Sequence, residues 1–357
     1  MRGKALFICE NTEELNDLSE VAKSLEEETM LIDITSIYGK SKANLDGFDN
    51  WVVIENTRND FYGSWSLALK IKIIIKIYLI ALRVVFVGRY SSLYSGIPII
   101  SARLIKFTFP KMVYYSYIRS VFQPRLGQDS IIWRALCAYK RFRSLKPFKA
   151  DHYFVTGKAS RNMLRKIGVP DGDITISGSI SLSKYFPDLK QSLGAYKGIL
   201  YLSGAHKWHG DHSLECFQRK LVEELKIIAE EAEVEFRIRP HPRDCNHDYY
   251  KEFSELDHKS SNDSLLYFSG DGNWLVVSNF SMMGFEFEYL GLTSVFVVPK
   301  FAVDSFKEWF EATSSQPFTD VSIVRDILRG NVCVDSNLGE VYQRIDNPIK
   351  VIVGYKK

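Results

Sequence analysis

Two short stretches in the second half of the chain hold residues whose types and spacing could bind or move charge. The run "VEFRIR" alternates like a strand and then breaks at "PHPRD", leaving His241 between Pro240 and Pro242 with Arg239 and Arg243 close by. Prolines restrict the backbone around that histidine. Its imidazole can donate to a phosphate oxygen, and the two guanidiniums add favourable charge. The plainer reading is that Pro240 and Pro242 end a strand. "VVSNFSMMGFEFEYLG", residues 276–291, sets Ser278, Asn279 and Ser281 where a buried strand gives way to a helix. A serine there caps the helix, yet the same amides and the positive end of the helix dipole form an anion site. Glu286, about one turn further on, could accept from a ribose hydroxyl or remain a solvated helix carboxylate.

A third stretch, "LSGAHKWHGDH", residues 202–212, follows an apolar strand with Ser203 and Gly204 and carries three of the seven histidines, His206, His209 and His212, around Asp211. Imidazoles beside a carboxylate suit a metal, but no second cluster completes a shell, so no metal or other cofactor is expected. A general base that deprotonates a hydroxyl is the stronger chemical reading. Asp211 is the first candidate, with His209 or His212 as the alternative and a purely structural loop as the third possibility.

These stretches need elements to position them. "KALFIC", "WVVIE" and "VVFVG" have the short apolar character of buried parallel strands, and residues 151–182 run strand, helix, loop, strand. "GILYLSG" opens a second series: a helix over about 213–231, then "VEFRIR", a helix after His241, "WLVVS", a helix from about 282, and "SVFVV". Two βα blocks joined by "SKYFPDLKQSLGAYK" predict an α/β chain with two Rossmann-like, doubly wound domains facing across a cleft. The predicted boundaries are 1–185 and 198–335, with a tail, 336–357, returning to the first domain. Ligands in such sheets bind beyond the carboxyl ends of the strands, which is where the polar residues fall.

The 357 residues, 46% of them hydrophobic, suffice for two packed cores. Five scattered cysteines without a CxxC spacing suit a reducing compartment, and no signal peptide is legible at Met1; the expected location is cytoplasmic. The net charge of +3 conceals an asymmetry, since residues 64–149 contain sixteen Lys or Arg and one acid, Asp129. Within that segment, "LALKIKIIIKIYLIALR" is too interrupted by Lys70, Lys72, Lys76 and Arg83 to span a bilayer. It reads as a crossover helix with one wet edge, or as a helix that also touches lipid. A second basic block, residues 134–150, mixes aromatics with cations. Without a nucleic-acid module beside it, the block reads as a solvated helix face, or as a surface for an anionic membrane or glycolipid.

The order "LYLSG", "RPHP", "SNFS" and "YLG", together with "KALFIC" and "VVFVGRYSSLYSG", resembles bacterial sialyltransferases of the GT-B fold with His-Pro and serine motifs, glycosyltransferase family 52 in particular. The likeness covers most of the chain, and its specific part is the two motifs, which polysialyltransferases and capsular Kdo transferases also carry. It implies an inverting, metal-independent transfer of sialic acid or a related nonulosonic acid from a CMP donor to a glycan or glycolipid acceptor. On the resemblance, His241 would assist the leaving CMP and Ser278 or Ser281 would bind its phosphate; apart from it, the polar strand ends themselves add Ser203, Gly204, Arg239, Pro242, Arg243, Asn279 and Glu286 to the expected donor site. The family's Asp/Glu-Asp/Glu-Gly acid motif is missing, and "VYYSYIRSVFQ" carries no carboxylate. That leaves the base unassigned and keeps open a non-catalytic glycan- or membrane-binding homologue, while the same phosphate site would also suit a Kdo transferase or a GT-B enzyme using a UDP-sugar or CDP-polyol.

Overall fold

A computed structural model describes residues 3–10, 12–38, 45–55, 67–96, 100–119, 150–166, 168–185, 195–206, 211–241, 261–334 and 340–355. The chain divides into two units. Among the described residues, unit 1 comprises those up to Arg119, those from 150 to Ser183, and those from Ile345 onward; unit 2 runs from Lys184 to Arg344.

Unit 1 is built on seven parallel strands in the order β3-β2-β1-β4-β5-β6-β7. In chain order these are Lys4–Cys9, Glu28–Asp33, Asn50–Val53, Ser92–Ser95, Val113–Ile118, His152–Val155 and Ile174–Ile176. β1 shows why such a strand reads as a continuous apolar run. Leu6 and Ile8 enter one core with Ile77, Ala81 and Val85 of helix α2 (Leu67–Gly88), while Ala5, Phe7 and Cys9 enter another with Leu15 and Leu18 of helix α1 (Thr12–Ser24). Both faces are covered, so every position favours an apolar side chain. The C-terminal helix Pro348–Gly354 belongs to this second core through Ile352, and Tyr355 stacks on His152 at 3.8 Å between ring centroids.

The expectation of a strand at "VVFVG" is corrected. Residues 84–88 form the last turn and a half of α2, and the next strand is the more polar Ser92–Ser95. A short apolar run cannot be assigned from composition when it continues the helical phase of the residues before it. Here Ile77, Ala81 and Val85, four apart, all face the core.

Unit 2 holds five parallel strands in the order β12-β11-β10-β8-β9, namely Gly198–Leu202 (β8), Glu235–Arg239 (β9), Trp274–Ser278 (β10), Thr293–Val297 (β11) and Pro317–Phe318 (β12). Ile199, Tyr201, Leu275, Val277, Val295 and Val297 pack on Leu221, Val222, Leu225 and Ile228 of the helix His212–Glu231. The opposite face is aromatic: Phe285 and Phe287, from the helix Met282–Tyr289, meet Phe296, Trp309 and Phe268 at centroid distances of 4.9 to 6.3 Å. Burying each such side chain contributes about 1.5–3 kcal/mol.

Candidate functional site

In unit 2 the chain leaves β8 for β9 on one side and then crosses to β10 on the other, so the strand order reverses between β8 and β10. Ligands of doubly wound sheets occupy the crevice outside the carboxyl ends at such a reversal. All pairings are parallel, which puts the three predicted motifs on one edge: Ser203 and Gly204 after β8, Arg239 and His241 at β9, Ser278 to Ser281 after β10. The last residues of the strands are in register, Arg239 with Leu202, Leu202 with Ser278 and Ser278 with Phe296, so these four share one face of the sheet.

The His241 turn is tied to β8 by two bonds. The Ser203 amide donates to the Arg239 carbonyl at 3.1 Å, and the His241 amide donates to Ser203 Oγ at 2.7 Å. Proline supplies no amide hydrogen at position 240, so the side chain of Ser203 takes the next available donor. Arg239 is buried, unusually for an arginine at a strand end.

Ser278 is fully buried, and its Oγ has no hydrogen-bond partner among the described residues. Buried polar atoms in folded proteins are normally paired, so an unpaired hydroxyl at a strand reversal marks a place that could take a ligand oxygen. Ser281 acts as a helix cap, its Oγ accepting from the Met283 amide at 3.3 Å. Its hydroxyl supports the helix N-terminus beside Ser278.

Asn279, expected to line the donor site, is a buried brace within unit 2. Its side-chain amide donates to the Val297 carbonyl at 2.9 Å, and its Oδ1 accepts from Tyr201 at 2.6 Å. Tyr201 Oη also lies 3.1 Å from Gln218 Oε1, and Gln218 pairs with the backbone of Gly204, accepting from its amide at 2.7 Å and donating to its carbonyl at 3.3 Å. Neither Tyr201 nor Gln218 stood out in the sequence, since a tyrosine in an apolar strand and a glutamine on an amphipathic helix are ordinary there. Together they hold the β8 and β10 loops in place.

Asp211 begins the helix His212–Glu231 as its N-cap residue; its amide donates to the His206 carbonyl at 2.9 Å, and its side chain makes no capping bond. His206 is buried against Gly204, where an added Cβ would stand 2.5 Å from His206 Nε2. His212 is largely exposed, with Nδ1 3.6 Å from Glu215. Glu286 receives a long bond from the Tyr342 hydroxyl, 3.4 Å. His209, Pro242 and Arg243 lie outside the described residues, as does nearly all of the basic block 134–150. Among the described residues no three His, Cys, Asp or Glu side chains are grouped to hold a metal ion.

Unit 1 has its own reversal, between β1 and β4. The strand end "VYYSYIRS", which carries no acid of its own, meets acids from elsewhere. Arg119 donates to Glu13 at 2.7 Å and lies 3.6 Å from Asp17, while the Glu14 carboxyl packs so closely on Gly96 that a Cβ there would stand 2.2 Å away. These carboxylates come from α1, far from Arg119 in sequence, and no local motif announces them.

No protein-family model matches the chain, and no curated protein matches it significantly. Solved structures do. The UDP-GlcNAc 2-epimerase of Methanocaldococcus jannaschii, in complex with UDP-GlcNAc and UDP, superimposes with a TM-score of 0.63 at 12% identity over 98% of both chains. The Neisseria meningitidis UDP-GlcNAc 2-epimerase bound to UDP-GlcNAc gives 0.60 at 13% identity, again over 98% of each chain. A glycotransferase of kitacinnamycin gives 0.54 at 10% identity over 92% of this chain and 90% of that one. At such identities the likeness is one of fold: this protein is a two-domain, GT-B-like α/β chain with a parallel, doubly wound sheet in each unit.

Proposed function

We propose that this protein is a glycosyltransferase using a nucleotide-activated sugar, with the phosphate of the nucleotide held at the carboxyl edge of β8, β9 and β10. The observation that carries this reading is Ser278: a fully buried hydroxyl with no hydrogen-bond partner among the described residues, in register on the same face as the buried Arg239, beside the N-terminus of the helix Met282–Tyr289. A hydroxyl, a guanidinium and the positive end of a helix dipole are what an anion requires.

The donor we favour is a CMP-activated nonulosonic acid, sialic acid first, because the His-Pro and serine motifs resemble those of enzymes that release CMP. His241 then protonates or hydrogen-bonds the departing phosphate, Arg239 and the Ser278 to Ser281 amides offset its charge, Glu286 accepts from a ribose hydroxyl, and Asp211 serves as base toward the acceptor. One charge-assisted contact to a leaving phosphate contributes on the order of 3 kcal/mol, about a hundredfold in rate. A second reading, a UDP-sugar substrate, is favoured by whole-chain similarity to epimerases solved with UDP-GlcNAc.

Thermal shift with CMP, CDP, UDP and UDP-GlcNAc separates the two. A nucleotide at a hundred times its Kd stabilises the fold by about 2.7 kcal/mol. Stabilisation by CMP above UDP supports the nonulosonate reading; the reverse order overturns it in favour of a UDP-sugar. If no nucleotide stabilises the chain at millimolar concentration, or if His241→Ala leaves CMP release from an active preparation unchanged, the assignment of this edge as a transferase site fails.

A further inference from the structure

α2 is a long helix that packs on unit 1 with one side and leaves an apolar side uncovered. Ile77, Ala81 and Val85 are buried in the core, whereas Ile71, Ile75, Leu79 and Phe86 are 48%, 51%, 57% and 81% exposed. At about 100° per residue, Ile71, Leu82, Ile75, Phe86 and Leu79 follow one another around the helix, and Lys72, Arg83 and Lys76 come next. The uncovered side is therefore an apolar stripe with a cationic edge. Val87, 81% exposed, lies past the cations, and the neighbouring helix Ile100–Thr108 adds Phe107, 57% exposed, where the Tyr78 hydroxyl meets Thr108 Oγ1 at 2.6 Å.

A soluble surface rarely shows so many large apolar side chains in one row, so something covers it. No described helix is long and apolar enough to cross a membrane. Charge points to the occupant. α2 contains no acid, and the surrounding segment 64–149 carries sixteen Lys or Arg against the single Asp129. An apolar stripe bordered by cations fits a bilayer interface, with the aliphatic and phenyl groups at the acyl boundary and the ammonium and guanidinium groups among anionic headgroups.

We infer that α2 docks unit 1 in-plane on the surface of an anionic lipid bilayer, through Ile71, Ile75, Leu79 and Phe86, with Lys72, Lys76 and Arg83 selecting for negative lipid. This goes beyond the donor reading and does not depend on it, because it concerns a surface of unit 1 alone and its test needs no nucleotide.

The test is co-sedimentation of the full chain with phosphatidylcholine vesicles and with vesicles of phosphatidylcholine and phosphatidylglycerol. The wild-type chain should pellet with the anionic mixture and release as salt shortens the Debye length from about 10 Å toward about 3 Å. Combined Ile75→Ser, Leu79→Ser and Phe86→Ser should lower the partition coefficient by at least about tenfold, since each loses apolar area from the interface. Combined Lys72→Gln, Lys76→Gln and Arg83→Gln should remove the preference for the anionic mixture. Failure of the wild-type chain to pellet with anionic vesicles at low salt overturns the inference by itself, whether or not the variants fold. Equal binding to both vesicle types overturns it, as does retention of binding by a serine variant with native circular dichroism. A wild-type dimer that this variant dissociates, with neither binding vesicles, would assign the face to a second copy of the chain.

Discussion

The amide of His241 donates to Ser203 Oγ at 2.7 Å, fastening the turn that follows β9 to the end of β8. Ser203→Ala removes the acceptor and leaves a partly buried N–H without it, at a cost of about 1–3 kcal/mol. Chemical denaturation should show that loss, and nucleotide affinity should fall with it because the histidine is no longer fixed. A variant with unchanged stability and affinity would mean that the turn is held by other contacts.

The pair Tyr201 and Gln218 supports Gly204 and Asn279 from inside unit 2. Tyr201→Phe and Gln218→Leu should each destabilise by about 1–3 kcal/mol, since each strands a buried partner. Measured as a double-mutant cycle, the two should couple by about 0.5–3 kcal/mol. Simple additivity would show that the two side chains act separately.

Gly198 opens β8 where there is no space for a side chain. A Cβ would lie 2.5 Å from the Glu235 carbonyl oxygen and 2.5 Å from the Trp274 ring. Backbone and a buried indole give way poorly, so Gly198→Ala should cost about 1–3 kcal/mol by thermal denaturation. Gly172→Ala, with no neighbour within 4 Å, should cost far less.

Unit 1 should weaken in alkali. Burial pushes the phenols of Tyr94, Tyr114 and Tyr117 well above the ordinary tyrosine value of 10.0, because the phenolate would be desolvated. With the folded value raised, this contribution to stability is fully present below pH 10 or so and is lost progressively as pH climbs above it. Thermal midpoints followed from pH 7 upward should fall beyond that point. Tyr114→Phe should flatten the fall, at the expense of the 2.7 Å bond to Ser95 at neutral pH.

The local code of this protein was legible where period and punctuation agree. β1 at "KALFIC", β10 at "WLVVS" and the helix that starts after Ser281 stand where an apolar run followed by a capping residue puts them. The same signals failed at "VVFVG", because apolar residues continuing a helical phase look like a strand when read alone. The three chemical motifs of unit 2 were visible as residues, and the strand order then brought them to one edge.

Asn279 and Glu14 show what local reading cannot supply. Asn279 sits in a serine-rich turn that invites a ligand, yet Tyr201 and the Val297 carbonyl, both distant in sequence, turn it inward. Glu14 belongs to an ordinary amphipathic helix until the pairing of β1 with β4 sets that helix against Gly96. By itself the sequence determined most of the strands and helices, "VVFVG" excepted, and which residue types sit at their ends, because those follow from the spacing of apolar side chains along a few turns. Only the tertiary structure decided which ends meet, which polar groups are satisfied by the protein and which side of α2 is uncovered, because those depend on pairings between segments tens of residues apart that no local period encodes.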